Sequence, residues 1–479
     1  MIKIVRRYSI ISLLFCLGNL FSQKELSFRI NTENSSGIIR PLNGGQLSPV
    51  CNYRMLNLTE EFSALNIPLV RLHDAPWFNE NVVDVHMIFP NFNLDPAKEE
   101  NYFFGPTDAY LESILKTGTK VVFRLGESIE KTSVKYYVNP PADFSKWAQI
   151  CCGIIRHYNE GWAKGFHHGI RYWEIWNEPD GSAATWNGTP EQFYTFYETA
   201  AKTIKKEFPD IMVGGPGMAC PLKDENGTLV VTDWTKKFLE HCRSKSVPLD
   251  FFSWHDYCDD PFKLAKKPAR VREMLNQYGF GKTESHLNEW NYIPGNEWER
   301  LFGGGMYQGA RRRNAYENQS GPKGAAFVAS VLMLLQNEPV DVANYYTTTA
   351  GMFGIFSEYG ECYKTYYAFR AFAELLKTPI RLQATYDSQN GLAALAGINQ
   401  EKTQINILLA NFSSDIKFTW ANVTLVGLNP KTIAEIRLID ISHNFIKIRE
   451  MQYESEKNVF IREVLPSESV MLISLKTYK

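Results

Sequence analysis

Along most of this chain, short and nearly continuous apolar runs end abruptly in polar residues, and longer stretches with apolar positions every three or four residues follow them. The runs Pro68–Asp74, Lys120–Leu125, Arg171–Trp176, Ile211–Val213, Asp250–Tyr257, Ser285–Asn291 and Asp341–Thr347 read as buried strands. Asp108–Thr117, Phe144–Tyr158, Pro190–Phe208, Asp233–Ser244, Gly324–Leu335 and Tyr366–Leu376 read as helices. In Pro190–Phe208 the residues Phe193, Phe196, Tyr197, Ala200 and Ile204 fall at helical spacing, with Thr189 as N-cap. Ile38–Val50 adds a strand with a glycine-rich end, and Leu58–Leu65 a short helix. Repeated strand–helix alternation of this kind predicts an α/β fold.

The rhythm changes near Ile380. Runs such as Ile405–Ala410, Ile433–Ile439, Phe445–Arg449 and Val470–Leu475 are separated by Asn, Ser, Asp and Pro clusters, the signature of an all-β sandwich. Glu25–Ile30 is a further short strand ahead of the α/β part. The domain reading is therefore 24–378 for the α/β part and 379–479 for the sandwich, with the first strand open to joining the sandwich. No internal repeat or low-complexity linker interrupts them.

Composition narrows the picture. A chain of 479 residues exceeds the usual size of one domain, and 44% hydrophobic residues supply ample core. A formal charge of −1 argues against a general nucleic-acid or membrane-surface role. The aromatic share of 14% suits sugar binding, although such residues are first of all core fillers. At the N-terminus, Lys3, Arg6 and Arg7 precede the apolar Ile10–Leu20 and then Phe21-Ser22-Gln23, the layout of a signal peptide over residues 1–23. Its apolar core is too short to span a membrane, so the mature chain is expected in the periplasm or outside the cell without an integral membrane segment. Cys16 follows Phe15 rather than a small residue, which argues against a lipoprotein box. Removing it leaves an odd number of cysteines without regular spacing, and no disulfide framework or zinc pattern follows.

Candidate chemistry gathers at strand ends. In RYWEIWNEPDG (171–181) a buried strand stops at Asn177-Glu178-Pro179, which holds a carboxylate at the strand's mouth. The alternative is a turn acid that caps the next helix. A second carboxylate, Glu289, stands beside Trp290 at the end of Ser285–Asn291. Glu127, at the end of Lys120–Leu125, is a reserve candidate; Glu174 reads as a buried structural acid, and Asp74 and Asp256 as turn acids or substrate contacts. His73 and His255 fall on different strands without a clustered third ligand, so no metal site is read.

The block from Asn177-Glu178-Pro179 through the helix to Val213-Gly214-Gly215-Pro216 resembles glycoside hydrolase family 39, the family of β-xylosidases and α-L-iduronidases. The resemblance is strong over 69–291 and thinner beyond. It implies a (β/α)8 TIM barrel followed by a β-sandwich, and a retaining glycoside hydrolase that needs no metal or cofactor and acts on a carbohydrate, exo-acting in the manner of a β-xylosidase. An endo-acting glycanase of the same clan and a non-catalytic sugar-binding barrel are the alternatives; the presence of both Glu178 and Glu289 speaks against the latter. Residue by residue it implies Glu178 as general acid/base and Glu289 as nucleophile. Arg71, His73, Asn177, His255, Tyr257 and Trp290 become contacts of substrate or nucleophile. Tyr345 and Tyr346 stand where the family usually places a tryptophan. The insert Gly295–Lys323 carries Gly303-Gly304-Gly305 and Arg311-Arg312-Arg313. The arginines are expected either to overhang an acidic glycan or to form a solvated basic turn paired with Glu297, Glu299 or Glu317.

Overall fold

The structure is a computed structural model that describes residues 25–298, 309–386, 391–414, 418–428, 431–454 and 457–478. The signal-peptide reading, Cys16 and the Gly303-Gly304-Gly305 run lie outside these residues. Among them, no helix is long and apolar enough to cross a membrane.

Eight parallel strands form one sheet in chain order: Gly45–Gln46, Leu69–Leu72, Lys120–Leu125, Tyr172–Ile175, Met212–Met218, Phe251–Cys258, Glu284–Tyr292 and Val342–Tyr345. The eighth returns to the first through a bridge between Gly44 and Asn344, with the amide of Tyr345 donating to the Gly44 carbonyl at 3.0 Å, so the sheet closes into a (β/α)8 barrel. The first strand is far shorter than the Ile38–Val50 run suggests. At Gly44 a Cβ would stand 2.5 Å from the Ala343 carbonyl, and at Gly45 2.2 Å from the Thr348 hydroxyl. Closure therefore requires glycine here, and the residues before it run as coil.

The helices follow the expected apolar stripes with shifted ends. Helix Pro190–Glu207 starts at a capping box in which Thr189 and Gln192 satisfy each other's backbone amides. Helix Pro322–Leu334 is apolar on all sides because it lies between the barrel and the C-terminal sheet. Several elements are absent from the sequence reading: the helix Lys267–Gln277 between the sixth and seventh strands, the short hairpins of Val50–Cys51 with Leu56–Asn57 and of Pro76–Trp77 with Glu80–Asn81, the hairpin of Leu222–Glu225 and Thr228–Val231 after the fifth strand, and the helix Gly309–Ser320, into which Arg311, Arg312 and Arg313 fall.

The C-terminal part is a nine-stranded, mostly antiparallel sheet. Glu25–Ile38 belongs to it, pairing antiparallel with Ile380–Thr385 and parallel with Phe418–Val426. The sheet folds back on itself: its edge strands Asn444–Tyr453 and Asn458–Pro466 meet through an Arg449–Glu463 ion pair of 2.9 Å. Several strands are apolar at every position because both faces are buried. In Leu392–Ile398, Leu392, Ala394 and Ala396 face the sheet's own core, while Ala393 and Leu395 join the core of the barrel. Gln404–Asn411 and Ser469–Tyr478 divide their side chains in the same way, so the two parts share a continuous apolar seam.

Candidate active site

The inner layer of the barrel beneath its C-terminal mouth is polar, and Arg71 is its centre. The guanidinium is fully buried and spends its fork on three partners: Nε on Glu174 Oε2 at 2.5 Å, Nη1 on Glu289 Oε1 at 2.7 Å and Nη2 on Asn177 Oδ1 at 2.7 Å. Glu174 is held from below by Ser253 Oγ (2.6 Å) and Asn288 Nδ2 (2.5 Å). It is a buried structural acid with a specific task, fixing the arginine that in turn fixes Glu289. The fifth strand passes so close that a Cβ at Gly217 (φ +62°) would stand 3.0 Å from Arg71 Nη2 and 3.3 Å from His255 Nε2. Only glycine fits there.

Two irregularities aim the carboxylates. At the end of the fourth strand Trp176 and Glu178 adopt φ of +74° and +48°, a left-handed twist that non-glycine residues rarely accept. The turn is held by the Glu178 amide donating to the Gly217 carbonyl (2.8 Å) and by Thr185 Oγ1 on the Glu178 carbonyl (2.7 Å). In the seventh strand the register slips by one residue, Trp254 facing Leu287 but His255 facing Glu289. The extra residue, Asn288, lets two consecutive side chains, Asn288 and Glu289, reach the barrel interior.

That bulge also decides Trp290. Its ring is fully buried and packs edge-on against Tyr345 (5.0 Å) and towards Phe327 (6.4 Å), within the strand–helix layer. The structure therefore does not bring Trp290 into the cluster, against the sequence expectation. Trp176 likewise turns outward, to Trp147, Trp186 and Phe196.

The remaining predicted residues converge. His255 Nδ1 lies 2.8 Å from Glu178 Oε1 and 3.4 Å from Glu289 Oε2, and the Tyr257 hydroxyl donates to Glu289 Oε2 at 2.6 Å. One carboxylate oxygen of Glu178, one of Glu289 and a ring nitrogen of His255 lie within 4.8 Å of one another. This is the third ligand-type group beside His255 that the sequence did not show, although Arg71 also sits against it. His73 is buried next to the cluster with neither ring nitrogen hydrogen-bonded, and its Nε2 lies 3.5 Å from Asp74 Oδ1. Tyr346 faces this side, packed towards Tyr257 and Phe353, whereas Tyr345 turns outward to Trp290 and Phe369.

Burial sets the proton affinities. It pushes the Glu178 carboxyl up to about 7, only partly opposed by Arg71. It raises Glu289 as well, and there Arg71 and the Tyr257 hydroxyl pull back towards the anion while the neighbouring Glu178 adds to the rise. Burial drives His255 down to about 4, and His73 well below the usual range with the help of Arg124 and Arg71, so both imidazoles are neutral at pH 7. The arrangement supplies a carboxylic acid that keeps its proton near neutrality, and within 4.8 Å of it a carboxylate held by an arginine and a phenol. Asn177 has its oxygen taken by Arg71, so the amide presents its NH2 as the remaining donor.

Arg313 pairs with Glu317 (2.6 Å) and Arg312 lies over the Tyr316 ring, both on the exposed helix Gly309–Ser320. This is one of the pairings expected for a solvated basic segment, built on a helix and not a turn.

A parallel barrel with paired carboxylates at the ends of its fourth and seventh strands is the architecture on which glycoside-cleaving chemistry is built. Sequence comparison matches residues 52–465 to Glycosyl hydrolases family 39, and the chain belongs to that family. A β-xylosidase of Caldicellulosiruptor saccharolyticus is 25% identical over 321 residues, covering 62% of this chain and 56% of the relative. One of Geobacillus stearothermophilus is 28% identical over 238 residues, covering 43% and 45%. The chain thus spans about half the length of the curated relatives it matches. Among solved structures, a glucosidase from Croceicoccus marinus superimposes with a TM-score of 0.77 at 24% identity, covering 95% of this chain and 100% of that one. A monomeric β-xylosidase from Caulobacter crescentus gives 0.71 at 13% identity, covering 95% and 100%.

Proposed function

We propose that this chain is a retaining glycoside hydrolase, exo-acting on β-xylosides or closely related glycosides of an oligosaccharide. The observation that carries the reading is the proximity of Glu178 and Glu289, with oxygens within 4.8 Å, Glu289 being held by Arg71 and Tyr257 and Glu178 by His255. Inverting enzymes need about 6.5–9.5 Å between their carboxyl groups to admit a water, and retaining ones about 5–5.5 Å. In the first step a Glu289 oxygen bonds to the anomeric carbon as its bond to the glycosidic oxygen breaks, and that oxygen takes the proton of Glu178. In the second step Glu178, now a carboxylate, removes a proton from water. The water oxygen attacks the anomeric carbon, and the bond to Glu289 breaks. Asn177 would donate to the sugar's 2-hydroxyl, and neutral His73 and His255 would bond the ring hydroxyls, while Arg71 and Tyr257 keep Glu289 anionic.

The reading of residues 1–23 as an export signal is part of this proposal, supported by the basic, then apolar, then polar layout of that segment. N-terminal sequencing of the secreted protein is expected to start near Lys24. A panel of chromogenic xylosides, galactosides, arabinosides, glucosides, iduronides and glucuronides tests the glycone. Proton NMR of the first-formed product from the best substrate tests the mechanism; an inverted anomer would sink it.

A further inference from the structure

His73 and Arg124 meet inside the barrel by register. The second and third strands run side by side with Arg71 opposite Val122 and Leu72 opposite Phe123, and one further step sets His73 opposite Arg124. Arg71 faces the interior, where it holds Glu174 and Glu289, and the two-residue period of a strand turns His73 to the same face. On its other side Arg124 lies opposite Glu174, itself an interior residue. Both side chains are closed off, His73 at 1% exposure and Arg124 at 0%.

Neither ring nitrogen of His73 has a hydrogen-bond partner, and Arg124 leaves its Nε and Nη1 unpaired as well. A single nitrogen fixes the arginine. Nη2 donates to Asp84 Oδ1 at 2.6 Å and lies 3.3 Å from the Ser128 hydroxyl, which itself donates to Asp84. The imidazole therefore stands between two guanidiniums, Arg71 on its own strand and Arg124 across from it, with His255 acting on it from the sixth strand. Against them stands Asp74, with Oδ1 3.5 Å from Nε2; that oxygen accepts the Ile129 amide, and burial raises the carboxyl's own hold on a proton. A guanidinium keeps its proton at any pH an enzyme meets, so the imidazole is the group that yields. After burial itself, Arg124 is the largest influence lowering the proton affinity of His73, ahead of Arg71. A neutral imidazole carries one N–H and one lone pair, and Asp74 beside Nε2 draws the N–H to that side. Nδ1 is then left as an acceptor.

We propose that Arg124, anchored by Asp84, is a positioning residue that holds His73 as a neutral acceptor for a hydroxyl of the glycone. The glycone part rests on the glycosidase reading of Glu178 and Glu289; the charge part does not, and the test keeps them apart. The first arm follows the His73 imidazole by nitrogen NMR, its signals identified by their loss in His73→Gln. In wild type and in Arg124→Lys the ring should stay neutral down to about pH 5, and in Arg124→Gln its midpoint should rise by at least about one pH unit. Arg124→Gln strands the buried Asp84 carboxylate, so Arg124→Gln/Asp84→Asn, which removes both charges, is measured beside it and should shift the same way. No shift in either folded variant, or an equal shift in Arg124→Lys, would overturn the proposal. The second arm measures KM for the best glycoside between about pH 8 and about pH 5. In Arg124→Gln KM should climb several-fold towards acid pH, relative to wild type, while kcat changes far less; in Arg124→Lys it should follow wild type. An imidazole that shifts without KM following would overturn the glycone role. A wild type that turns over no glycoside would overturn the reading of Glu178 and Glu289 and the glycone role with it, while the titration still decides what Arg124 does to His73.

Discussion

Two clusters, each of two carboxylates and a histidine, stand at neighbouring places on the barrel mouth. One is Glu178, His255 and Glu289; the other is Glu127, His86 and Asp84, and in each the three ligand-type atoms lie within 4.8 Å. Burial pushes the first-named carboxyl of both up to about 7. They differ in what the histidine does with the proton. His255 is buried and driven down to about 4, so it cannot take the proton from Glu178. His86 is a quarter exposed, lies stacked under Tyr137 at 3.6 Å and is hydrogen-bonded to Glu127, which raises its own proton affinity. There the proton is shared between the partners, and the pair titrates as a unit. The second carboxylates differ too. Asp84 is committed to Arg124 (2.6 Å) and to the Ser128 amide and hydroxyl (3.0 and 2.8 Å), knotting two loops together. Glu289 faces Glu178. Of the two raised carboxyls, only Glu178 has both a neighbouring base that does not take its proton and a second carboxylate opposite it.

The largest expected contrast follows directly. Glu289→Gln should lower kcat/KM by roughly 10⁴-fold or more, and Glu127→Gln by less than about tenfold, with both variants folded by circular dichroism. A folded Glu127→Gln as inactive as Glu289→Gln would erase the distinction and move the reaction to the third strand. The next contrast concerns the leaving group. Glu178→Ala should lose about 10²–10⁴-fold on a disaccharide, yet far less on a glycosyl fluoride, which needs no proton. If both substrates lose equally, Glu178 is not the acid.

Proton affinities give a third, smaller effect. Glu178 must be protonated in the free enzyme, so kcat/KM should fall about tenfold per pH unit above about 7, where its carboxyl ionises. On the disaccharide this alkaline limb should be present in wild type and persist in His86→Ala, and on the fluoride, which needs no proton, wild type should lack it. A limb that instead vanished with His86 would assign it to the Glu127–His86 pair.

The strand ends were legible because a polar residue that terminates an apolar run has few structural reasons to be there. Glu178, behind Asn177, and Glu289 announce themselves in that way, whereas Arg71, His73, His255 and Tyr257 were legible only through the resemblance to the family. What supports them did not. Glu174 finds Ser253 and Asn288 at separations of 79 and 114 residues, and nothing local points to either. Runs buried on both faces carry no phase, so the bulge at Asn288 that sends Trp290 outward left no trace in the pattern. The strand Glu25–Ile38 finds its partners only at Ile380–Thr385 and Phe418–Val426, across the whole barrel. One signal was present and passed over. Asn226-Gly227, with φ of +54° and +84°, is the two-residue hairpin turn between Leu222–Glu225 and Thr228–Val231, and Leu222 at its base lines a cavity with His255 and Tyr257.

The smallest effect is on stability, and it isolates Glu178 from the rest of its cluster. Its carboxyl titrates at about 7 in the folded protein against 4.5 in the unfolded chain, because burial disfavours the anion. Below pH 4.5 both states are protonated and the group costs nothing. As pH rises the unfolded chain releases its proton first, so stability is lost progressively from pH 4.5, and the loss is complete above about pH 7. The full difference amounts to at most about 3 kcal/mol at 1.36 kcal/mol per unit. Water reaching the 21% exposed side chain reduces it further. A glutamine has no proton to lose. The stability of Glu178→Gln relative to wild type, measured by denaturant unfolding, should therefore rise between pH 4 and pH 8 by up to that amount and then level off. A flat difference across this range would mean that Glu178 ionises like a surface acid, and the contrast between its neutral histidine neighbour and the proton-sharing His86 would lose its consequence.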